Sequence, residues 1–327
     1  MIRTPAPIRI SLIIPAYNRA SLIGATLDAA LAQTAPFHEI IVVNDGSTDD
    51  TAAVVAAYGD RVRYLEFANR GVQATRNSGV AAATGDYITL CDSDDLLEPA
   101  FVETMQAWLN KHPDTDALYC NFRTFDAESA HPEDKFAQAP ANYFDGVQEH
   151  GDFLYPVPDI YARSIRFQAF FSSGFIVRRA FFHALKGYNT NFKGIGSEDW
   201  EFSMRVMLAG KVAVCKQPLV KIRKHRGNTS RDNLRQVRGT VHILQYSLAN
   251  HAGAAAHRDL IMRSISRRQL ELFDIAFARG DFDLARAVLM QLAPLHSLRF
   301  VLKKAICKLP ALLRQPVWRL TQLGSPA

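Results

Sequence analysis

The chain has 327 residues, 48% of them hydrophobic and 21% charged, which excludes a disordered polymer and suffices for one large core or two smaller ones. No run of 18 apolar residues and no apolar leader before Ile10 occurs, so neither a spanning helix nor a secretory signal is expected. The four cysteines form no Cys-x-x-Cys pair, which argues against zinc and a disulfide framework and for a reducing, cytoplasmic setting. The net charge of +6 is uneven: Thr240–Ala327 holds 12 Lys and Arg against 5 Asp and Glu, the remainder 26 against 27. The basic excess therefore belongs to the C-terminal segment and points to a local anionic partner.

In chain order, the apolar run Ile10–Ile14, ended by Pro15, predicts a buried strand. Ile40–Val43, Val62–Phe67 and Tyr87–Cys91 repeat the pattern. Between them, Ser21–Gln33 has apolar residues at helical spacing, Asp49–Tyr58 follows a Ser/Thr/Asp cluster suited to N-capping and stops at Gly59, and the Ala-rich Val72–Ala83 ends near Gly85. A helix over Ala100–Asn110 leads to a fifth strand, Ala117–Asn121. Strands alternating with helices predict an α/β fold with a parallel-dominated, Rossmann-like sheet flanked by helices on both faces. Residues 122–175 are rich in aromatics without a clear period. Phe181–Leu185 and Trp200–Ala209 have helical character, and helices follow Arg231 up to Pro294.

In open parallel sheets ligands bind beyond the carboxyl ends of the strands. Those ends carry Pro15, Tyr17 and Asn18; Asn44, Asp45, Gly46 and Ser47; Asn69 and Gly71, with Arg76 one turn into the next helix; and Asp92, Ser93, Asp94 and Asp95. Together they offer what a nucleotide needs: acceptors for base and ribose, a flat ring and a cation for phosphate. Two phosphate devices are missing. No Gly-x-x-x-x-Gly-Lys loop occurs, and Asp199 stands where a dinucleotide fingerprint begun at Gly194-Ile195-Gly196 requires its third glycine. Carboxylates as dense as Asp92–Asp95 repel one another unless they hold a cation or capture hydroxyls. Blander readings stand beside these. Asp45-Gly46-Ser47 also suits a turn and helix cap, Asp92–Asp95, and Asp95 in particular, a solvated cap, and Arg76 a surface position.

These blocks taken together resemble family 2 glycosyltransferases of the GT-A fold. The resemblance rests on Ile10-Ser11-Leu12-Ile13-Ile14-Pro15-Ala16-Tyr17-Asn18, on Ile41 through Asp49, on Asn69-Arg70-Gly71 through Asn77, on Asp92-Ser93-Asp94-Asp95 and on Gly196-Ser197-Glu198-Asp199-Trp200-Glu201. It spans roughly residues 8–231 and leaves out the last 90 or so. It implies a nucleotide-sugar-binding half over 1–121 and an acceptor and catalytic-base half over 122–235, and the helical pattern beyond them marks a C-terminal extension over 236–327. It further implies that Asp45 accepts from the nucleobase and that Asn18 and Arg76 hold the nucleotide, with Pro15, Tyr17, Ser47 and Ser93 around it. Asp92 would contact ribose or metal, and Asp94 would be the main ligand of a divalent metal, Mn2+ or Mg2+. Asp199 would be the general base with Glu198 beside it, and His225, in Lys224 through Ser230, would lie near the diphosphate. Glu198 and Asp199 also suit a helix N-terminus, whose dipole lowers a carboxyl pKa and weakens a base.

The implied reaction moves a sugar from a nucleotide-diphospho-sugar, expected to be a UDP-sugar, to a hydroxyl of a glycan or lipid-linked acceptor in cell-surface glycan or polysaccharide synthesis. One base and no second carboxylate nucleophile imply inversion. A nucleotidyltransferase is the alternative enzyme, although the residues after the first strand lack a Gly-rich basic loop. A non-catalytic nucleotide- or nucleic-acid-binding protein is the other alternative, and acidic strand ends disfavour nucleic acid. No Asp or Glu occurs in the 44 residues after Asp283. Within Leu298–Leu309 an apolar face (Leu298, Val301, Leu302, Ala305, Ile306, Leu309) opposes a basic one (Arg299, Lys303, Lys304, Lys308). This helix either packs its apolar stripe on the protein or lies on an anionic membrane surface, at the inner face.

Overall fold

The computed structural model describes residues 7–126, 129–225, 232–292 and 298–322. The chain divides into two compact units, Met1–Gly194 with Glu198–Asn228, and Ile195–Ser197 with Thr229–Ala327. The first begins β1 (Ile10–Ala16), α1 (Ile23–Leu31), β2 (Glu39–Asn44), α2 (Thr51–Ala56), β3 (Arg63–Glu66), α3 (Val72–Ala82) and β4 (Tyr87–Leu90). The three helices, β3 and β4 fall within the runs expected from the sequence, whereas β1 and β2 extend past theirs at one or both ends. Every residue of β1 and β4 is buried, as parallel strands covered on both faces require.

The unit continues with β5 (Leu96–Leu97), α4 (Phe101–Lys111), β6 (Ala117–Phe125), β7 (Ala130–Asp134), β8 (Glu149–His150), β9 (Phe153–Leu154), α5 (Ile160–Arg166), β10 (Ile176–Arg178), α6 (Arg179–Ala184), α7 (Glu198–Ala209) and β11 (Val212–Arg223). One sheet runs β3-β2-β1-β4-β10-β6-β11-β9-β8, with β5 on β11 and β7 on β6. The pairs among β3, β2, β1 and β4 are parallel, as is β6 with β11, whereas β10 lies antiparallel between β4 and β6. β1 connects outward to β2 on one side and is flanked by β4 on the other, so the strand order reverses at β1 and opens a crevice beyond the ends of β1 and β4.

Pro15 does not end the first strand. It pairs in register with Val43, and the strand continues to Ala16. The carbonyl of Ile13 accepts from the Cys91 amide and that of Ala16 from the Asp45 amide. Alternation then turns the Pro15 nitrogen to the β4 side, where pairing has already stopped at Ile13↔Leu90, so its missing N–H removes no ladder bond. Gly79 lets α3 lie close on the sheet: a Cβ there would sit 2.4 Å from Ile13 Cγ2.

The range 122–175 resolves into the end of β6, the short strands β7–β9 and α5. Strands of two residues carry no readable period. Its aromatics form ring contacts, including Tyr119–Phe170 at 4.7 Å, Phe136–Phe144 at 5.0 Å and Tyr143–Phe167 at 5.5 Å.

The second unit comprises α8 (Asn233–Asn250), α9 (Arg258–Ala278), α10 (Phe282–Leu289), α11 (Leu298–Lys308) and α12 (Ala311–Gln322). Asp232 and Asp281 cap α8 and α10 through side-chain bonds from the Arg235 and Leu284 amides. Phe273, Phe277, Phe282, Phe300, Ile306 and Cys307 lie in its core, with Trp318 packed against it. Within the same unit Gly239 of α8 meets the Ile195–Ser197 segment so closely that a Cβ would sit 2.3 Å from the Gly196 carbonyl oxygen. The faces of α11 depart from expectation. Ile306 is buried, but Val301 and Leu302 of the same apolar stripe are 48% and 54% exposed. Lys303, placed on the solvated face, instead bonds Asp274 at 2.6 Å and is 14% exposed. The inward positions go to Phe300 and Cys307, which at about 100° per residue lie in the middle of the expected basic face. No helix among the described residues is long and apolar enough to cross a membrane.

Candidate functional site

The ends of β1 and β2 are buckled together. Asn18, at a φ of 51°, accepts on Oδ1 from the Thr48 amide at 2.8 Å, and its own amide donates to Ser47 Oγ at 2.9 Å. Ser47 Oγ donates in turn to Asn44 Oδ1. Tyr17, next to Asn18 in the chain, is 45% exposed. Asp45 is buried and uses both carboxylate oxygens on backbone, accepting from the Arg70 amide at 2.8 Å and the Gly71 amide at 2.9 Å. It thereby fixes the loop that leads into α3. Gly71, at a φ of 93°, leaves room for the stem of Lys193, whose Nζ donates to Asn69 Oδ1 at 3.1 Å.

The four residues after β4 have separate partners. Asp92 Oδ1 accepts from Arg76 Nη2 at 2.6 Å, and its Oδ2 from Ser172 Oγ at 3.3 Å. Ser93 is buried. Asp94 Oδ2 lies 2.9 Å from His225 Nε2 and 3.9 Å from Arg19 Nε, while its carbonyl accepts from Arg223 Nε at 2.8 Å. Asp95 is no solvated cap. It is 2% exposed and accepts from Ser173 Oγ at 2.6 Å and from the Arg223 amide at 2.9 Å. Burial, with Asp92 and Asp94 adding like charge, pushes its pKa well above the usual carboxylate range.

Arg76 is 4% exposed, so it is no surface residue. Desolvation opposes its charge, but Asp92, Tyr188 and Asp199 outweigh it and hold the guanidinium above its ordinary pKa. Its Nε is buried without a hydrogen-bond partner, and the guanidinium stands 5.4 Å from the centre of the Tyr188 ring. Asp199 opens α7 with Glu198. Burial pushes its carboxyl up to about 6; Glu198 and Asp92 add to the rise and Arg76 opposes it. The lowering expected from a helix N-terminus is thus overcome by desolvation.

The structure therefore brings Arg76, Asp92 and Asp199 into one electrostatic cluster at the end of β4, where Asp94 also pairs with His225 from just beyond β11. Asn18, Ser47 and Asp45 line the β1 and β2 ends and are engaged in holding loops. The rest of the late His/Ser segment, residues 226–231, lies outside the described residues. Sequence reasoning missed Ser172, Ser173, Arg223, Arg19 and Lys193, which position the acidic run and the loop before α7. The first two follow an aromatic stretch without period, and the others carry no local motif.

Among the described residues no three His, Cys, Asp or Glu side chains gather as a self-sufficient metal site. A hard divalent cation of a nucleotide enzyme is nevertheless usually held by one or two protein groups plus phosphate oxygens. The Asp94–His225 pair, a carboxylate and an imidazole 2.9 Å apart, fits that limited role.

Residues 11–171 match glycosyl transferase family 2, and residues 159–226 match the N-terminal domain of galactosyltransferase. An uncharacterized glycosyltransferase of Rickettsia prowazekii is 39% identical over 121 residues, 37% of this chain and 38% of that protein. Glycosyltransferase GlyA of Streptococcus pneumoniae is 39% identical over 100 residues, 30% of this chain and 14% of GlyA. The chain thus spans well under half the length of these relatives. Among solved structures, S. aureus TarS 1–349 in complex with UDP-GlcNAc aligns with a TM-score of 0.63 at 19% identity, covering 86% of this chain and 80% of that one. TarS 1–349 with UDP gives 0.58 at 20% identity, covering 80% and 71%. The shared architecture is the GT-A fold.

Proposed function

We propose that this chain, whose residues 11–171 match glycosyl transferase family 2, transfers a sugar from a nucleotide-diphosphate donor to an acceptor hydroxyl with inversion. The observation that carries the reading is Asp199. It is a carboxylate whose pKa is lifted to about 6, under the opposing influence of the buried Arg76 and its partner Asp92 at the strand end where such sheets bind nucleotides. A base poised near neutrality removes the acceptor proton effectively. The family match and the fold shared with a UDP-GlcNAc complex support a UDP-sugar donor.

Asn18, Asp45, Ser47 and Tyr17 would hold the base and ribose, with Pro15 and Ser93 shaping the floor. The Arg76 guanidinium, with its unpartnered Nε, would face the sugar-phosphate end. Asp94, with Asp92 and His225, would hold a divalent cation, Mn2+ or Mg2+, whose charge would stabilise the leaving diphosphate. Asp199, with Glu198 beside it, would take the proton from the acceptor hydroxyl as its oxygen attacks the anomeric carbon. The glycosidic bond forms as the bond to the diphosphate breaks, and a single base in line gives inversion. We read the acceptor as a glycan or lipid-linked saccharide of cell-surface or polysaccharide synthesis, and the setting as cytoplasm or the inner face of a membrane.

The test is a panel of nucleotide sugars scored by thermal stabilisation and by release of nucleoside diphosphate, with and without Mn2+. Stabilisation follows from binding to the folded state alone. Stabilisation by a UDP-sugar and a product of inverted anomeric configuration are expected. Release of pyrophosphate from a nucleoside triphosphate and sugar phosphate would instead identify a nucleotidyltransferase.

A further inference from the structure

Among the described residues nine large hydrophobic side chains are exposed, and six of them, Val301, Leu302, Leu312, Leu313, Val317 and Leu320, lie on α11 and α12. Their placement is ordered. In α11 the inward side carries Phe300, with its ring 5.4 Å from Phe273, together with Ile306 and Cys307, all buried. At about 100° per residue, Val301, Leu302 and Ala305 fall on the opposite arc, with exposed Lys308 at its edge. In α12 the inward side carries Trp318, whose Nε1 donates to the Phe277 carbonyl at 2.7 Å, and Arg314, whose guanidinium lies 4.6 Å from the Phe282 ring. Leu312, Leu313, Val317 and Leu320 again fall away from those anchors, with exposed Arg319 at their edge. Each helix is thus fastened to α9 and α10 by one face and turns a second apolar face outward.

We propose that these outward faces dock the protein on an anionic lipid surface. This rests on the reading of an acceptor met at a membrane, and it names the partner. Charge decides the occupant. No acidic residue occurs after Asp283, so the positive charges that edge the two arcs have no acidic neighbour within this tail. An apolar arc bordered by Lys and Arg is the pattern of helices lying in the headgroup region, where basic residues draw anionic lipid and the apolar side chains enter the acyl boundary. A second copy fits less well, because a two-fold contact through the same face sets Lys308 and Arg319 against their own symmetry mates.

The full chain is tested by sedimentation with vesicles of phosphatidylcholine alone and of phosphatidylcholine mixed with phosphatidylglycerol, at low and high salt. Binding to the mixed vesicles, weakened by salt and absent on phosphatidylcholine alone, is expected. Leu312→Ser/Leu320→Ser, at positions that leave the inward anchors intact, should weaken it about tenfold or more, as should Lys308→Glu/Arg319→Glu. Failure of the parent chain to bind mixed vesicles, or variants that bind as it does, would overturn the proposal. So would concentration-dependent self-association of the parent chain that the leucine variant abolishes while vesicle binding persists. Thermal stabilisation by a UDP-sugar, measured on the same proteins, separates the two readings: its absence with intact vesicle binding removes the donor assignment alone, and the reverse removes the membrane surface alone.

Discussion

Arg76 donates from Nη2 to Asp92 Oδ1 at 2.6 Å, one partner on α3 and the other just beyond β4. The side chains are 5% and 28% exposed, so a buried cation is matched by a partly solvated anion. Removing the cation leaves Asp92 able to recover some hydration. Arg76→Ala should therefore destabilise the protein by about 2–3 kcal/mol, less than the ~3–5 kcal/mol of a fully buried pair. Urea unfolding measures it. Because Arg76 opposes the rise of the Asp199 pKa, the same variant should move the acid limb of activity to higher pH.

Asp199 acts as a base only when ionised. With its pKa at about 6, turnover should be level above that pH and fall about tenfold per unit below it, as protonation removes the active form. A limb near pH 4 would mean that bound donor and cation have drawn the carboxyl back to its ordinary range. Asp199→Asn should lower turnover by about two to four orders of magnitude with donor affinity nearly unchanged. Collapse of donor binding with turnover at saturation retained would show Asp199 to be a donor ligand.

Asp94 pairs with His225 and Arg19 at the mouth of the acidic run. Asp94→Ala should abolish activity dependent on Mn2+ or Mg2+ while far-UV dichroism stays native. Full turnover of the parent enzyme in excess EDTA would exclude the metal assignment.

Asp45 fastens a loop with both oxygens. Asp45→Asn sets an amide NH2 against a backbone N–H at one of the two contacts and should cost about 1–3 kcal/mol. It should also weaken donor binding, through displacement of the loop at Arg70 and Gly71. Calorimetric titration with UDP and thermal unfolding together test this; an unchanged melting temperature would show that the loop holds without the carboxylate.

The parallel half of the sheet was legible because its strands are buried on both faces and read as continuous apolar runs, with capped helices between. The strand-end residues were legible for the same reason, since topology alone says where ligands bind. What the chain hides is long-range. Nothing near Ser172 or Ser173 in sequence shows that they bond Asp92 and Asp95, 80 and 78 positions away. The assignment of Asp94 to His225 and of Asp95 to the Arg223 amide depends on β11 and the residue just beyond it, and β11 begins 117 positions after Asp95 in the chain. The pKa of Asp199 was misjudged because a helix N-terminus is visible in sequence and desolvation is not. The tail misled differently: a helix has one readable stripe, whereas α11 uses an offset face to pack.

The close meeting of Gly239 with Gly196 bears on where this protein can be shortened. The peptide that leads into Glu198 and Asp199 is grouped with the C-terminal helices, and Ser197 Oγ reaches Gln236 Oε1 at 3.1 Å and Thr240 Oγ1 at 3.2 Å. A chain cut before α8 would retain every residue assigned to donor, cation and proton transfer, yet release the tether just upstream of the base. Loss of the helical extension should therefore appear as poor turnover in a protein that still recognises its nucleotide.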